Sequence, residues 1–215
     1  MKNEVLQQLR IEYSAQPLDE STILKNPILQ FEAWFHEAVE SKIPEPNAMT
    51  LATSGIDYKP SARIVLLKRI EGQSFFFFTN YNSRKGKELL WNPYAALLFF
   101  WNELHRQVRI EGRVEKITSE QSDAYFQSRP KGSQIGALAS PQSEVIESRE
   151  VLEKKFDAAE KQLSSFEIPR PAHWGGYKVI ASSIEFWQGR ANRMHDRFLF
   201  TLEDQINWTI VRLAP

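Results

Sequence analysis

The chain has no cysteine. That absence excludes disulfides, thiolate metal sites, iron-sulfur clusters and cysteine nucleophiles together. Histidine is scarce: His36, His105, His173 and His195 lie far apart, with no HExxH or comparable ligand spacing, so no metal site is expected. Neither sign of charge is in excess, because Lys+Arg and Asp+Glu both number 27 among the 215 residues. Without a global basic field, nucleic acid is not an expected partner, and any anion site must come from local clustering. No apolar run approaches the roughly 20 residues of a membrane helix. The N-terminal MKNEVLQQLRIEY breaks its apolar residues with charges, unlike a signal peptide. The expectation is a soluble, cytoplasmic protein without a membrane partner. Neither GxGxxG nor GxxxxGK[ST] occurs, so a phosphate would have to be held by side chains rather than by a glycine-rich loop.

The length suits one domain over 1–215, with 1–46 as an N-terminal helical segment and 118–165 as a helical insertion. A short helix is expected at 4–13. A longer one begins at the Asn26 cap and Pro27, where Ile28, Phe31, Phe35, Ala38 and Val39 recur at helical spacing, and IPEP at 43–46 ends it. Strands follow at AMTLATS, SARIVLLKRI and SFFFFTN. The unbroken Phe75 to Phe78 run predicts a strand covered on both faces, as in a barrel with helices outside it. Further on, a helix is expected at 83–91, strands at 94–101 and 106–116, a capping-box helix from Thr118, and helices at 133–139 and 148–163. The last strands fall near 177–188, 197–203 and 207–212. This order predicts a mixed, mainly β fold on an antiparallel barrel with flanking helices.

Three clusters carry possible chemistry. Ser83-Arg84-Lys85 places two cations in the first turn of a helix, where the dipole disfavours them unless an anion binds there; the same residues also fit side chains extended into solvent. Arg63 and Lys68 bracket four apolar residues, and their spacing puts them on opposite faces of a regular strand. If both serve one site, a bulge or strand end must redirect one of them; ordinary snorkelling at strand ends is the alternative. Tyr125, Arg129 and Ser133 can converge on an oxyanion or can form a plain helix-to-helix turn. Finally, in WQGRANRMHDR (187–197) an extended backbone after Asn192 would line up Arg193, His195 and Arg197 on one side, as a solvated edge or as one wall of a site.

These segments, with RIVLLK (63–68), FTN and SRK (78–80, 83–85), RQV (106–108), YFQSRPKGSQIGA (125–137), PQS (141–143), HWGGY (173–177), FWQG (186–189) and RMHDRF (193–198), resemble the pyridoxine (pyridoxamine) 5′-phosphate oxidase family. The resemblance covers nearly the whole chain. It implies an FMN-binding split β-barrel and a homodimer with FMN at the subunit interface. The implied FMN-phosphate ligands are Arg63, Arg84 and Lys85, with Thr79 and Ser143 adding hydroxyls; Leu66, Lys68, Phe78, Gln107, Gln142, Trp187 and Arg197 complete the flavin site. Substrate phosphate is assigned to Lys68, Tyr125, Arg129 and Ser133. Arg193 and His195 close over the pyridine ring and, with Arg197, make the catalytic set. Arg10 and Tyr13 match a lid segment within 1–46. The implied reaction oxidises pyridoxine or pyridoxamine 5′-phosphate to pyridoxal 5′-phosphate with dioxygen as acceptor, giving hydrogen peroxide, and ammonia from the amine. Glu45 stands where the family pattern carries Asp, and SAQPLDEST after Tyr13 lacks basic residues that some relatives have.

Overall fold

A computed structural model describes residues 12–13, 16–163, 167–204 and 206–215. Arg10 and most of the helix expected at 4–13 lie outside the described residues, and Glu12 and Tyr13 at its end are not helical. The elements are α1 (Pro27–Glu40), β1 (Ala48–Ser54), β2 (Pro60–Leu66), β3 (Arg69–Glu71), β4 (Ser74–Asn80), α2 (Arg84–Trp91), β5 (Tyr94–Trp101), β6 (Arg106–Lys116), α3 (Ser119–Ser128), α4 (Lys131–Ala139), α5 (Arg149–Leu163), β7 (Trp174–Gln188), β8 (Asp196–Leu202) and β9 (Trp208–Leu213). Strand order is β2-β1-β5-β6-β7-β4-β3, with β8 pairing β7 and β9. Among the described residues no helix is long and apolar enough to cross a membrane.

Contacts divide the chain into two compact units, one of residues 48–97 and 111–181, the other of residues 1–47, 98–110 and 182–215. In the first, β1 and β2 pair antiparallel from Ala48↔Leu66 to Ser54↔Pro60, and β4 pairs antiparallel with β7. Phe75, Phe76 and Phe77 are at most 3% exposed, so the run is covered on both faces as its composition predicts. The SARIVLLKRI segment is not one strand. It breaks after Leu66, where Leu67 is buried, and resumes at Arg69. Phe126, Ile135, Ile168 and Trp174 form a buried cluster around α3 and α4. Ser83 caps α2 by accepting the Gly86 N–H, and a Cβ at Gly86 would lie 2.1 Å from the Tyr81 carbonyl oxygen. Only glycine allows α2 to start so close to the preceding chain.

In the second unit the Asn26 side chain accepts the Ile28 and Leu29 N–H groups, and Pro27 opens α1. The buried stripe of α1 runs through Phe31, Trp34 and Ala38, whereas Val39 is 48% exposed. The helix is thus rotated from the expected face because the large Trp34 indole, absent from the stripe read in the sequence, takes the core position. Phe31 meets Phe99 edge-on at 5.0 Å and Trp34 meets Phe186 at 5.3 Å. Truncating either buried ring to Ala would cost roughly 3–5 kcal/mol. β7 and β8 pair antiparallel, with Trp187 directly opposite Arg197.

Candidate active site

In the first unit, a cavity of about 420 Å³ is lined by Leu66, Lys68, Phe78, Thr79, Lys85, Tyr125, Arg129, Ser133 and Gln142, together with Ile64, Val65, Pro130 and Trp174. Lys68 reaches the cavity because β2 ends before it and its N–H bonds to the Phe76 carbonyl at 2.9 Å, whereas Arg63, inside β2, does not line this cavity, so the strand end does not bring the two cations onto it together. The rings of Tyr125 and Phe78 stack at 3.8 Å, and Phe78 stacks on Trp174 at 5.6 Å. The Arg129 guanidinium lies 4.6 Å from the Trp174 ring, and its Nη1 is buried without a hydrogen-bond partner. Burial pulls its pKa below the ordinary arginine value. A buried, unpartnered guanidinium nitrogen is costly and calls for an anion.

Lys85 is 7% exposed and donates to Gln142 Oε1 at 3.0 Å, Thr79 Oγ1 at 3.2 Å and Ser83 Oγ at 3.3 Å. Burial first, and the Arg63 charge second, lower its pKa to about 8 against the opposing pull of Glu88. Arg63 donates to the Leu51 carbonyl, Thr53, Ser61 and Glu88, and burial lowers its pKa as well. Arg84 bonds through Nε to Glu88 at 2.8 Å. Ser143, at φ 71°, lies not on this cavity but on a neighbouring one of about 410 Å³ that Arg84 and Glu88 also line. A dense cation cluster held on neutral oxygens and a single carboxylate suits a phosphomonoester: the donors are in place and the net charge is positive.

The second unit carries Gln107, Trp187, Arg193, His195, Arg197 and Tyr13. Arg197 bonds through Nε to Glu185 at 2.8 Å and through Nη1 to the Ala214 carbonyl at 2.8 Å. Glu185, 2% exposed, also lies 2.7 Å from Arg109, which shares a face of β6 with Gln107. The expected alignment of Arg193, His195 and Arg197 by strand alternation is not found. Ala191–Arg193 is a 3-10 turn, Asn192 and Arg193 have φ of 57° and 62°, and β8 starts only at Asp196. The turn at Ala191–Arg193 breaks the extended path, so His195 is placed by packing instead. Its ring lies 4.6 Å from Trp187 and 5.6 Å from Tyr13, and Tyr13 also packs on His105 at 4.6 Å. His195 Nδ1 accepts the Arg190 N–H at 3.1 Å, which leaves Nε2 as the protonated nitrogen of the neutral ring. Burial, then the Arg193 charge, lower its pKa, with Asp196 opposing. Arg193 itself is exposed.

Sequence reasoning missed Glu88, Thr53, Ser61, Trp174, Glu185 and Arg109. Two of these left a signal: Glu88 is four residues after Arg84, and Glu185 interrupts the apolar run Ile184 to Trp187.

The fold is that of the split-barrel flavin proteins, mainly β with flanking helices. The chain aligns with PhzG from Burkholderia lata, solved in complex with tetrahydrophenazine-1-carboxylic acid, at a TM-score of 0.87 and 26% identity, covering 94% of this chain and all of that one. It also aligns with a pyridoxamine 5′-phosphate oxidase-related, FMN-binding protein from Nostoc punctiforme at a TM-score of 0.72 and 16% identity, covering 88% of this chain and 98% of that one. Residues 35–163 match the pyridoxamine 5′-phosphate oxidase family model, and residues 174–215 match the pyridoxine 5′-phosphate oxidase C-terminal dimerisation region. The chain is 56% identical to pyridoxine/pyridoxamine 5′-phosphate oxidases of Nostoc sp., over 96% of this chain and 97% of the relative, and of Burkholderia multivorans, over 98% and 99%. It belongs to the pyridoxamine 5′-phosphate oxidase family, a family of oxidoreductases.

Proposed function

We propose that this protein is an FMN-dependent oxidase, acting as a homodimer, that converts pyridoxine 5′-phosphate and pyridoxamine 5′-phosphate to pyridoxal 5′-phosphate. The observation that carries this reading is the pair of cation sets around one cavity: Lys85 with Thr79 and Gln142, and Arg129 with Lys68, Tyr125 and Ser133. The orphaned Nη1 of Arg129 supports an anion in the second set. Cofactor and substrate each carry one phosphate, so two sets are what such a pair needs. Arg63, Arg84 and Lys85 bind the cofactor phosphate, with Thr79 and Ser143 as hydroxyl donors. Lys68, Tyr125, Arg129 and Ser133 bind the substrate phosphate.

FMN, held by Arg63, Arg84 and Lys85, would supply the redox chemistry, which is hydride acceptance from the substrate C4′ carbon and reoxidation by dioxygen to hydrogen peroxide. The chain's own residues orient and stabilise charge. Tyr125 and Trp174, stacked on Phe78, wall the cavity with flat apolar surface. His195, neutral near pH 7 because its pKa is lowered, offers Nε2–H as a hydrogen-bond donor to the substrate ring. Arg193 and Arg197 act electrostatically, since guanidinium does not titrate in this range. Tyr13 belongs to a lid over His195 and Trp187.

The alignment with PhzG favours a second reading, a split-barrel flavin oxidoreductase acting on a fused-ring carboxylate, because Arg129 could hold a carboxylate in place of a phosphate. The test is to purify the protein, record flavin absorbance, and follow peroxide and pyridoxal 5′-phosphate formation from each candidate substrate. Turnover of pyridoxine 5′-phosphate is expected. Turnover of a fused-ring carboxylate alone would establish the second reading, and bound flavin without turnover of either would leave a binding protein.

A further inference from the structure

We propose that Glu88 is a positioning residue for phosphate binding, a buried carboxylate that fixes Arg63 and Arg84 in the arrangement a phosphomonoester needs. The proposal rests on the assignment of the cofactor phosphate to Arg63, Arg84 and Lys85.

The local rules give Glu88 no reason to be where it is. It lies in the last turn of α2, where the helix dipole disfavours a carboxylate, and Arg84 lies in the first turn, where the dipole disfavours a cation. The Arg-to-Glu order at i, i+4 is also the weaker one for a helix. Glu88 is 8% exposed, and a buried charge is tolerated only when its lone pairs are satisfied. They are. Oε1 accepts Arg84 Nε at 2.8 Å, and Oε2 accepts Thr53 Oγ1 at 2.5 Å, Ser61 Oγ at 2.6 Å and Arg63 Nη2 at 3.2 Å. The carboxylate therefore joins β1, β2 and α2 at one point. Burial pushes its pKa up, but the bonds from Ser61, Thr53 and Arg84 and the Arg63 charge outweigh that and bring it to about 2, so it stays ionised at any working pH.

The geometry divides the labour between the two arginines. Both terminal nitrogens of Arg63 are engaged, by Leu51, Thr53, Ser61 and Glu88, so Arg63 supplies fixed charge. Arg84 is held only by Nε, and among the described residues its terminal nitrogens have no partner, which leaves the planar fork available for two phosphate oxygens. With Lys85 protonated, the three cations and Glu88 leave a formal charge of two positive, matching a phosphate that carries about 1.5 to 2 negative charges at pH 7. Glu88 would then stand in for the phosphate in the cofactor-free protein, keeping three mutually repelling cations together until the cofactor arrives.

The test compares FMN with riboflavin, which lacks the phosphate, by quenching of flavin fluorescence on cofactor-free protein. In Glu88→Gln, of equal size but uncharged, FMN affinity should fall about tenfold or more while riboflavin affinity stays within about twofold. That outcome is expected even though the substitution adds net positive charge. Glu88→Asp keeps the charge but retracts it, and should lose several-fold of the FMN preference; should the Gln variant not fold, the Asp variant carries the same comparison. FMN bound as tightly or more tightly by Glu88→Gln would overturn the proposal, as would an equal loss for both flavins, which marks a general structural role. Should the wild type show no preference for FMN over riboflavin, the phosphate assignment fails and the proposal with it. Should Arg84→Ala lose FMN while Glu88→Gln keeps it, the proposal alone fails.

Discussion

Two buried carboxylates, one in each compact unit, join pairs of arginines from different elements, and the contrast between them separates two kinds of site. Glu88 takes Arg63 and Arg84 and is also held by the hydroxyls of Thr53 and Ser61, leaving the Arg84 fork without a partner among the described residues. Glu185 takes Arg109 and Arg197 across adjacent strands, and Arg197 spends a second nitrogen on the Ala214 carbonyl near the C-terminus. The first arrangement keeps donors in reserve for an anion. The second fixes one guanidinium through Nε and Nη1 and leaves it little freedom. A cation cluster with spare donors suits binding, and an arginine locked by a buried carboxylate suits orientation.

The largest effect expected from breaking this contrast is at the locked arginine. Arg197→Lys keeps the charge but loses the planar fork that bridges Glu185 and Ala214, so kcat should fall roughly 30- to 100-fold, while the unfolding temperature of cofactor-free protein drops by only a few degrees. An equal collapse of stability and activity would make Arg197 a structural strut.

The next effect belongs to the binding cluster. Lys85 titrates near pH 8 in the cofactor-free protein, below its ordinary value, so the protonated form that a phosphate needs is lost as pH rises through 8. FMN affinity should therefore hold near pH 7, where the phosphate is largely dianionic, and weaken by up to about tenfold per pH unit above 8. Lys85→Arg should remove that slope. A slope of the same steepness in the variant would place the titrating group elsewhere.

The smallest effect concerns Tyr13. Its ring only covers His105, Trp187 and His195 by edge contacts. Tyr13→Ala should raise the substrate KM about threefold, on the order of one lost edge-on aromatic contact, with FMN affinity unchanged. A larger loss of FMN than of substrate affinity would move Tyr13 into the flavin site.

Much of this was legible before any coordinates. The Asn26-Pro27 start of α1, the Thr118 capping box and the strand at 94–101 rest on rules that act within one turn or one pleat, and they hold. The RIVLLK problem was legible as a problem: the spacing sets the two cations on opposite faces, β2 ends at Leu66, and Lys68 lines the cavity while Arg63 does not. The RMHDR row was misread because alternation presumes an extended backbone, whereas the 3-10 turn at 191–193 with two left-handed residues redirects Arg193 and His195. Glu88 and Glu185 each left a local signal, but the full set of partners was out of reach for a different reason. A carboxylate's partners here come from distant elements, such as Thr53 and Ser61 for Glu88, and no spacing rule reaches that far.

We propose that two separate phosphate sites exist, one at Arg63, Arg84 and Lys85 and one at Arg129 and its neighbours. The most direct measurement titrates FMN and pyridoxal 5′-phosphate separately into wild type, Arg84→Ala and Arg129→Ala. Arg84→Ala is predicted to weaken FMN by about 30-fold and leave pyridoxal 5′-phosphate unchanged on the FMN-saturated protein, and Arg129→Ala to do the reverse. Loss of FMN in Arg129→Ala, or both ligands weakening together in either variant, would contradict it.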